Sequence, residues 1–166
     1  MPLPLKSLSK DAIPRALSKA ERYRLLNEPV GAVSICLDIL QIKPENQQAL
    51  VTLLLALTDQ FTHGYKLDDA EPGDVIARLQ GEYERAYYAG IVAERRAEAV
   101  LDQGAPEAPF IAHDLLSTAM GYYEEAERLR PPGNDDALLR WNTCARLMNS
   151  RGVQPHADEL AEPPLD

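Results

Sequence analysis

Residues 20–46 read AERYRLLNEPVGAVSICLDILQIKPEN. Small residues stand at Ala20 and Ala32, an aromatic at Tyr23, apolar residues at Cys36 and Ile39, and Pro44 closes the run. Two amphipathic helices joined by a tight turn need this order. Small side chains let the helices approach, and larger ones fill the space between them. Proline stops the second helix because it lacks an N–H and clashes with the turn before it. Pro29 falls where that helix begins, a position at which the missing N–H costs little. The expected turn is a residue or two long, so the helices should be antiparallel neighbours.

Outward from this stretch, the first helix is expected over about 12–27, with Asp11 as its N-cap and Pro14 in its first turn. Ala16, Ala20, Tyr23 and Leu26 or Asn27 share one face. The second helix, with Asn27 as its cap, carries Ala32, Val33, Cys36, Leu37, Ile39 and Leu40. A third follows Pro44 to about residue 61 and turns Leu50, Leu53, Leu54 and Leu57 inward. Residues 62–73 (THGYKLDDAEPG) read as an exposed loop. One long helix is expected over 74–103, with Gly81 as a point where it could break. Its stripe is Ile76, Leu79, Tyr83, Ala86, Tyr87, Gly90, Ala93, Ala97 and Leu101, and the small residues in its middle admit a close neighbour. After a linker at 104–109, a helix over 110–130 carries Ile111, Leu115, Ala119, Tyr122, Tyr123, Ala126 and Leu129, and Pro131 and Pro132 stop it. Asn134 caps a last helix to about residue 150, with Leu138, Trp141, Cys144 and Leu147. Segments 1–11 and 151–166 read as flexible ends, the second acidic and proline-rich. The expectation is an all-α protein, about six helices in stacked antiparallel hairpins, with one domain over 12–150.

Composition agrees. A chain of 166 residues with 45% hydrophobic and 26% charged residues can bury a core. β-branched residues are sparse, whereas Ala, Leu, Glu and Arg are plentiful, which favours helix over sheet. The net charge of −9 argues against a nucleic-acid partner. The charge is uneven, however. Residues 1–24 carry six basic groups (Lys6, Lys10, Arg15, Lys19, Arg22 and Arg24) against Asp11 and Glu21. That face is either a solvated first helix or a basic edge that meets an acidic surface, such as another copy's acidic body. The longest apolar run, 53–57, is far too short to cross a bilayer. The N-terminus has no continuous apolar core of the signal-peptide kind. Cys36 and Cys144 stand at apolar positions of different helices and read as free buried thiols in a reducing compartment. A cytoplasmic location is expected.

The chain also repeats itself. At an offset of 87, Ala32, Cys36, Ile39 and Pro44 match Ala119, Tyr123, Ala126 and Pro131, while Ala20 and Gly90 match at an offset of 70. This pattern resembles the tetratricopeptide repeat family, whose 34-residue helix–turn–helix has small residues at the helix crossing and a proline after the second helix. The residues that carry the resemblance are Ala20, Tyr23, Ala32 and Pro44, then Gly90, Ala119, Tyr123, Ala126 and Pro131. Two departures stand out. Ala16 occupies the place of the usual bulky aromatic, and the second copy is stretched by about 17 residues. The resemblance implies two degenerate units, 12–61 and 74–150, each with a trailing capping helix, stacked as an α–α superhelix. A helical bundle without solenoid curvature satisfies the same periodicity.

Motifs for chemistry are missing. There is no HExxH or ExxH, no glycine-rich phosphate loop, no GxSxG and no paired-cysteine site. His63 reads as a solvated loop residue, His113 as a partly buried residue near a helix start, and His156 as part of the tail. Glu94, Arg95, Arg96 and Glu98 intermix signs, as a solvated helix face does. No catalytic, cofactor or metal-binding residue is assigned, and the chain is not expected to be an enzyme. The pairs Tyr87–Tyr88 and Tyr122–Tyr123 read either as core packing or as groove aromatics. In the resembling family the first helices line a concave groove. The expected partner-binding residues are accordingly Tyr87, Ile91 and Glu94 on the long helix, Glu21 on the first and Asn142 on the last. The Lys and Asn clamp with which such proteins often hold a peptide carboxylate is not matched, since Leu17, Glu21, Tyr87 and Ile91 occupy those positions. A groove carrying Glu21 and Glu94 suits a basic or apolar segment. The expected function is an adaptor or co-chaperone that holds a protein or peptide, without cofactor, nucleic acid or membrane. The alternatives are a self-associating assembly subunit and, less favoured by the motifs, a helical-bundle enzyme or metal protein.

Overall fold

Asn27 closes one helix and Pro29 opens the next, and the chain reverses between them. The computed structural model of the protein describes residues 1–62, 70–150 and 152–156. All regular structure among them is helical. A 3-10 turn at Lys10–Ala12 leads into α1 (Ile13–Leu25), followed by α2 (Pro29–Ile42), α3 (Gln47–Asp59), α4 (Pro72–Ala77), α5 (Glu82–Gln103), α6 (Ala108–Leu129) and α7 (Asp136–Ser150). The fold class is all-α. The chain divides into two compact units, 1–80 and 81–166.

In the first unit, α1 packs on α2, α2 on α3, and α3 on both α1 and the short α4. The turn after α1 is held by its backbone. Asn27 takes a left-handed conformation (φ 59°), its N–H donates to Arg24 O, and the Glu28 N–H donates to Tyr23 O at 2.8 Å. This is a Schellman arrangement, which satisfies carbonyls orphaned at a helix end. Asn27 therefore terminates α1 and does not cap α2, whose N-cap is Glu28. Asn accepts the left-handed region more readily than other residues with a side chain. Asp11 likewise lies in the 3-10 turn and is not the cap of α1, which is Ala12. Asn46 does cap α3, accepting from the Ala49 N–H at 2.9 Å. The expected stripes of α2 and α3 are buried apart from the half-buried Leu37. Arg24 clasps Asp59 through two hydrogen bonds of 2.7 and 3.2 Å, tying α1 to the end of α3.

In the second unit, α5 and α6 run antiparallel across the short connection at 104–107, and α7 packs on α6. The long helix expected over 74–103 is two helices. α4 ends at Ala77 and α5 begins at Glu82 after Gly81, so the break falls at the glycine. Gly90 sits where α5 and α6 cross. A Cβ built there would come within 2.5 Å of the Tyr123 ring, so this approach requires glycine. Gly104 ends α5 in the left-handed conformation. The buried stripe of α6 is Ala112, Leu116, Ala119, Tyr123 and Ala126. Ile111, Tyr122 and Leu129, expected inside, are exposed.

Of the expected loop 62–73, residues 63–69, His63 among them, lie outside the described residues, and Pro72 and Gly73 begin α4. Part of the tail assigned as flexible is placed. The Gln154 N–H donates to Pro109 O, and His156 stacks on Phe110 with its Nε2 3.0 Å from Asp114 Oδ2.

Candidate functional site

Among the described residues, each unit holds a place that gathers polar or unpartnered apolar groups. In the second unit the centre is Glu94, which is 0% exposed. Its Oε2 accepts from the Tyr123 hydroxyl at 2.9 Å and from Arg140 Nη1 at 3.2 Å, and its Oε1 lies 3.6 Å from the Cys144 thiol. Three helices supply these groups: α5 the carboxylate, α6 the phenol, and α7 the guanidinium and the thiol. Arg140 is also hydrogen-bonded to Tyr87. Tyr87 stacks on Tyr83 at 5.7 Å, meets Tyr88 edge-on at 5.1 Å and tilts toward Tyr123 at 6.0 Å. The Tyr83 hydroxyl accepts from Asn134 Nδ2, while Asn134 Oδ1 accepts from the Asp136 N–H at the start of α7.

This centre overturns the reading of Glu94 as part of a solvated face. A buried carboxylate is tolerated because donors from two other helices surround it. Its environment also limits its chemistry. Burial, reinforced by the negative charge of Glu94, pushes the Cys144 thiol up to about 12 and the Tyr123 phenol well above its ordinary range. Burial and then Glu94 likewise raise the Glu98 carboxyl. A thiol so protonated at neutral pH is a poor nucleophile. The arrangement bolts three helices together. Among the described residues, no group of three or more His, Cys, Asp or Glu side chains is arranged to hold a metal ion.

The expected partner-binding residues are thus scattered in kind. Ile91 and Glu94 are buried within the second unit and present no surface. Tyr87 is half-buried and joins Glu94 through Arg140 and Tyr123. Asn142 is half-buried on α7. Glu21 is exposed on α1, in the other unit.

The first unit offers a different surface. The Schellman turn places Leu25 and Leu26 outward, 88% and 61% exposed, with Val30 partly exposed just beyond Pro29. A groove of about 500 Å³ beside them is lined by Tyr23, Pro29, Val30, Gly31 and Gln60, with Asn27 and Glu28 at the turn. Tyr23 presses against α2, where a Cβ at Gly31 would lie 2.7 Å from its ring. On the other side of Tyr23, Arg15, Ser18, Lys19 and Arg22 line a second depression, and Lys19 Nζ lies 5.6 Å from the ring centroid. Leu25, Val30 and Gln60 were not singled out in the sequence. One signal was available: Leu25 lies off the apolar face of the first helix, so a helix ending at LLN leaves it without a neighbour to cover it.

No protein-family model, curated protein or solved structure matches this chain.

Proposed function

We propose that this chain is a protein-binding module built from tetratricopeptide-like helical hairpins, and that a partner polypeptide docks at the α1–α2 turn. The observation that carries the reading is the pair Leu25 and Leu26, two adjacent leucines held in solvent by a fully hydrogen-bonded turn. Contiguous exposed apolar surface is a mark of interaction sites, and Val30 and the groove beyond it extend the two leucines. The surrounding groove is preformed by Pro29 and by the Tyr23–Gly31 contact, so a partner orders little on docking. No catalytic role is assigned. The buried polar centre around Glu94 is occupied by its own donors, which fits a scaffold better than an enzyme.

The test is a photo-crosslinking amino acid placed at position 26 of the full chain, with a control at the exposed Thr118 on α6. In native lysate, position 26 should give a discrete polypeptide adduct that position 118 does not. No adduct at position 26, or the same adducts at both positions, would overturn the reading.

Charge distribution favours a second reading, self-association. Residues 1–24 carry six basic groups against two acidic ones, whereas the second unit carries eight basic against sixteen acidic. Opposed surfaces on one chain can join copies to one another. Light scattering across a concentration series separates the two readings. Salt-sensitive assembly supports the subunit role, and a chain that stays monomeric at every concentration removes it.

A further inference from the structure

We propose that Tyr23 joins the two depressions of the first unit into one bipartite site for an acidic peptide segment that carries an apolar anchor. The inference rests on the protein-binding reading and specifies the chemistry of the partner.

The two halves differ in character. The half on α1 is cationic: Arg15, Lys19 and Arg22 are all exposed around a depression of about 470 Å³. Arg24 does not join them, because Asp59 holds its guanidinium through two hydrogen bonds. Glu21 is the one acid exposed on that stretch of helix, so three cations face a single carboxylate. The half beyond Tyr23 is apolar, walled by Pro29 and Val30, with Leu25 and Leu26 exposed at the same turn. Glu28 lines this half and disfavours acid there. The two halves thereby set a direction. Carboxylates lie over Arg15, Lys19 and Arg22, and an apolar side chain enters beside Val30.

Gln60 supplies the independent sign of a ligand. It stands at the end of α3, lines the apolar half and is 5% exposed, yet its Nε2 has no hydrogen-bond partner among the described residues. A buried donor left unpaired is unfavourable, and nearly all such groups in folded proteins find an acceptor. A carbonyl or carboxylate oxygen from a docked chain provides one. Tyr23 is fixed between the halves by α2 on one side and by Lys19 over its ring on the other. A basic or apolar segment was expected from Glu21 and Glu94 together. With Glu94 buried, the exposed charge of this face is positive.

The experiment uses the full chain and fluorescence anisotropy. The probe is a fluorescein-labelled synthetic peptide with four Glu or Asp residues followed by a Leu-Leu pair. Its twins replace the acids by Lys or the leucines by Ser, and a single-stranded oligonucleotide of equal charge serves as a polyanion. The acidic peptide should bind, and each twin should bind at least about tenfold more weakly. The double variant Lys19→Glu, Arg22→Glu should lose about tenfold in affinity, and more of it at low salt. Gln60→Leu should weaken binding several-fold without lowering the melting temperature, because it removes an unpaired donor. A lysine twin that binds equally well, charge reversal without effect, or an oligonucleotide that outcompetes the peptide would each overturn the inference. If position 26 still crosslinks a polypeptide while the acidic probe fails, the docking reading stands and the acidic chemistry falls. If position 26 captures nothing, both fall.

Discussion

The Tyr123 hydroxyl donates to Glu94 Oε2 at 2.9 Å, joining α6 to α5 at a carboxylate that no solvent reaches. The same ring lies against Gly90, one turn earlier on α5. One residue thus fixes both the spacing of the two helices, through its ring, and their register, through its hydroxyl. Arg140 and Cys144 bring α7 to the same carboxylate.

Removing that carboxylate should destabilise the second unit sharply. Glu94→Ala leaves Arg140 and Tyr123 without their acceptor, and losing one partner of a buried pair typically costs about 3–5 kcal/mol. Glu94→Gln keeps an oxygen for Tyr123 and should cost less. Urea denaturation followed by circular dichroism measures both. A loss below about 1 kcal/mol for Glu94→Ala would show that the centre holds little together.

Two glycines on long helices should respond to alanine with opposite signs. At Gly90 the new Cβ meets the buried Tyr123 ring at 2.5–2.7 Å, and overpacking of this kind costs about 1–3 kcal/mol. At the exposed Gly121 nothing lies within 4 Å, so Gly121→Ala should stabilise by roughly 0.5–1 kcal/mol through helix propensity. Thermal melts of the two single variants decide the matter. A stabilising Gly90→Ala would mean that the helices do not cross as closely as described.

The helices whose faces are made of Leu, Ile and Val were legible in sequence. α2 and α3 bury nearly the residues their periodicity named, and the Pro29 and Pro44 boundaries hold. In α6, Ala119, Tyr123 and Ala126 are buried as expected, but its first two turns were read one position off because alanine shares the inner face there. Ala112 and Leu116 point inward, but the bulkier Ile111 and Leu115 drew the stripe toward themselves. Glu94 was misplaced for a physical reason. Its sequence neighbours Arg95, Arg96 and Glu98 look solvated, and the donors that bury it lie 29 and 46 residues away. The turn surface was hidden because LLNEP gives no sign of whether Asn27 caps the following helix or ends the preceding one. Only the backbone hydrogen bonds decide that.

Alkaline pH should weaken the fold through its thiols. Burial raises Cys36 and Cys144 from 9.0 to about 12, with Arg24 partly opposing at Cys36 and Glu94 reinforcing at Cys144. Between those values the unfolded thiols have lost their protons and the folded ones keep theirs. The native state then binds more protons, so stability falls as pH rises. The stability is intact below pH 9 and declines toward pH 12, by at most about 1.4 kcal/mol per pH unit for each thiol. Denaturation at pH 8 and pH 10.5 should show this slope, and the double variant Cys36→Ala, Cys144→Ala should show less of it, the remainder belonging to the raised tyrosines, Tyr123 foremost. Equal slopes would assign the alkaline loss to other groups. Both thiols should also resist alkylation at neutral pH until the chain is unfolded.

The turn that presents the leucines depends on Asn27. Asn27→Gly keeps the left-handed conformation without strain and should leave stability within about 0.5 kcal/mol. Asn27→Val forces a β-branched residue to a φ of 59° and should cost more than about 1 kcal/mol. Melting temperatures of the two variants check this, and equal values would mean that the turn relaxes easily.

The proposed docking of another polypeptide is placed where α1 turns into α2. Methyl-labelled leucine and valine spectra of the full chain, recorded as the polypeptide captured from position 26 is added, test it most directly. Shifts are expected to be confined to Leu25, Leu26, Val30 and their immediate surroundings. Unmoved signals there, with shifts in the methyl groups of α5, α6 or α7, would contradict it.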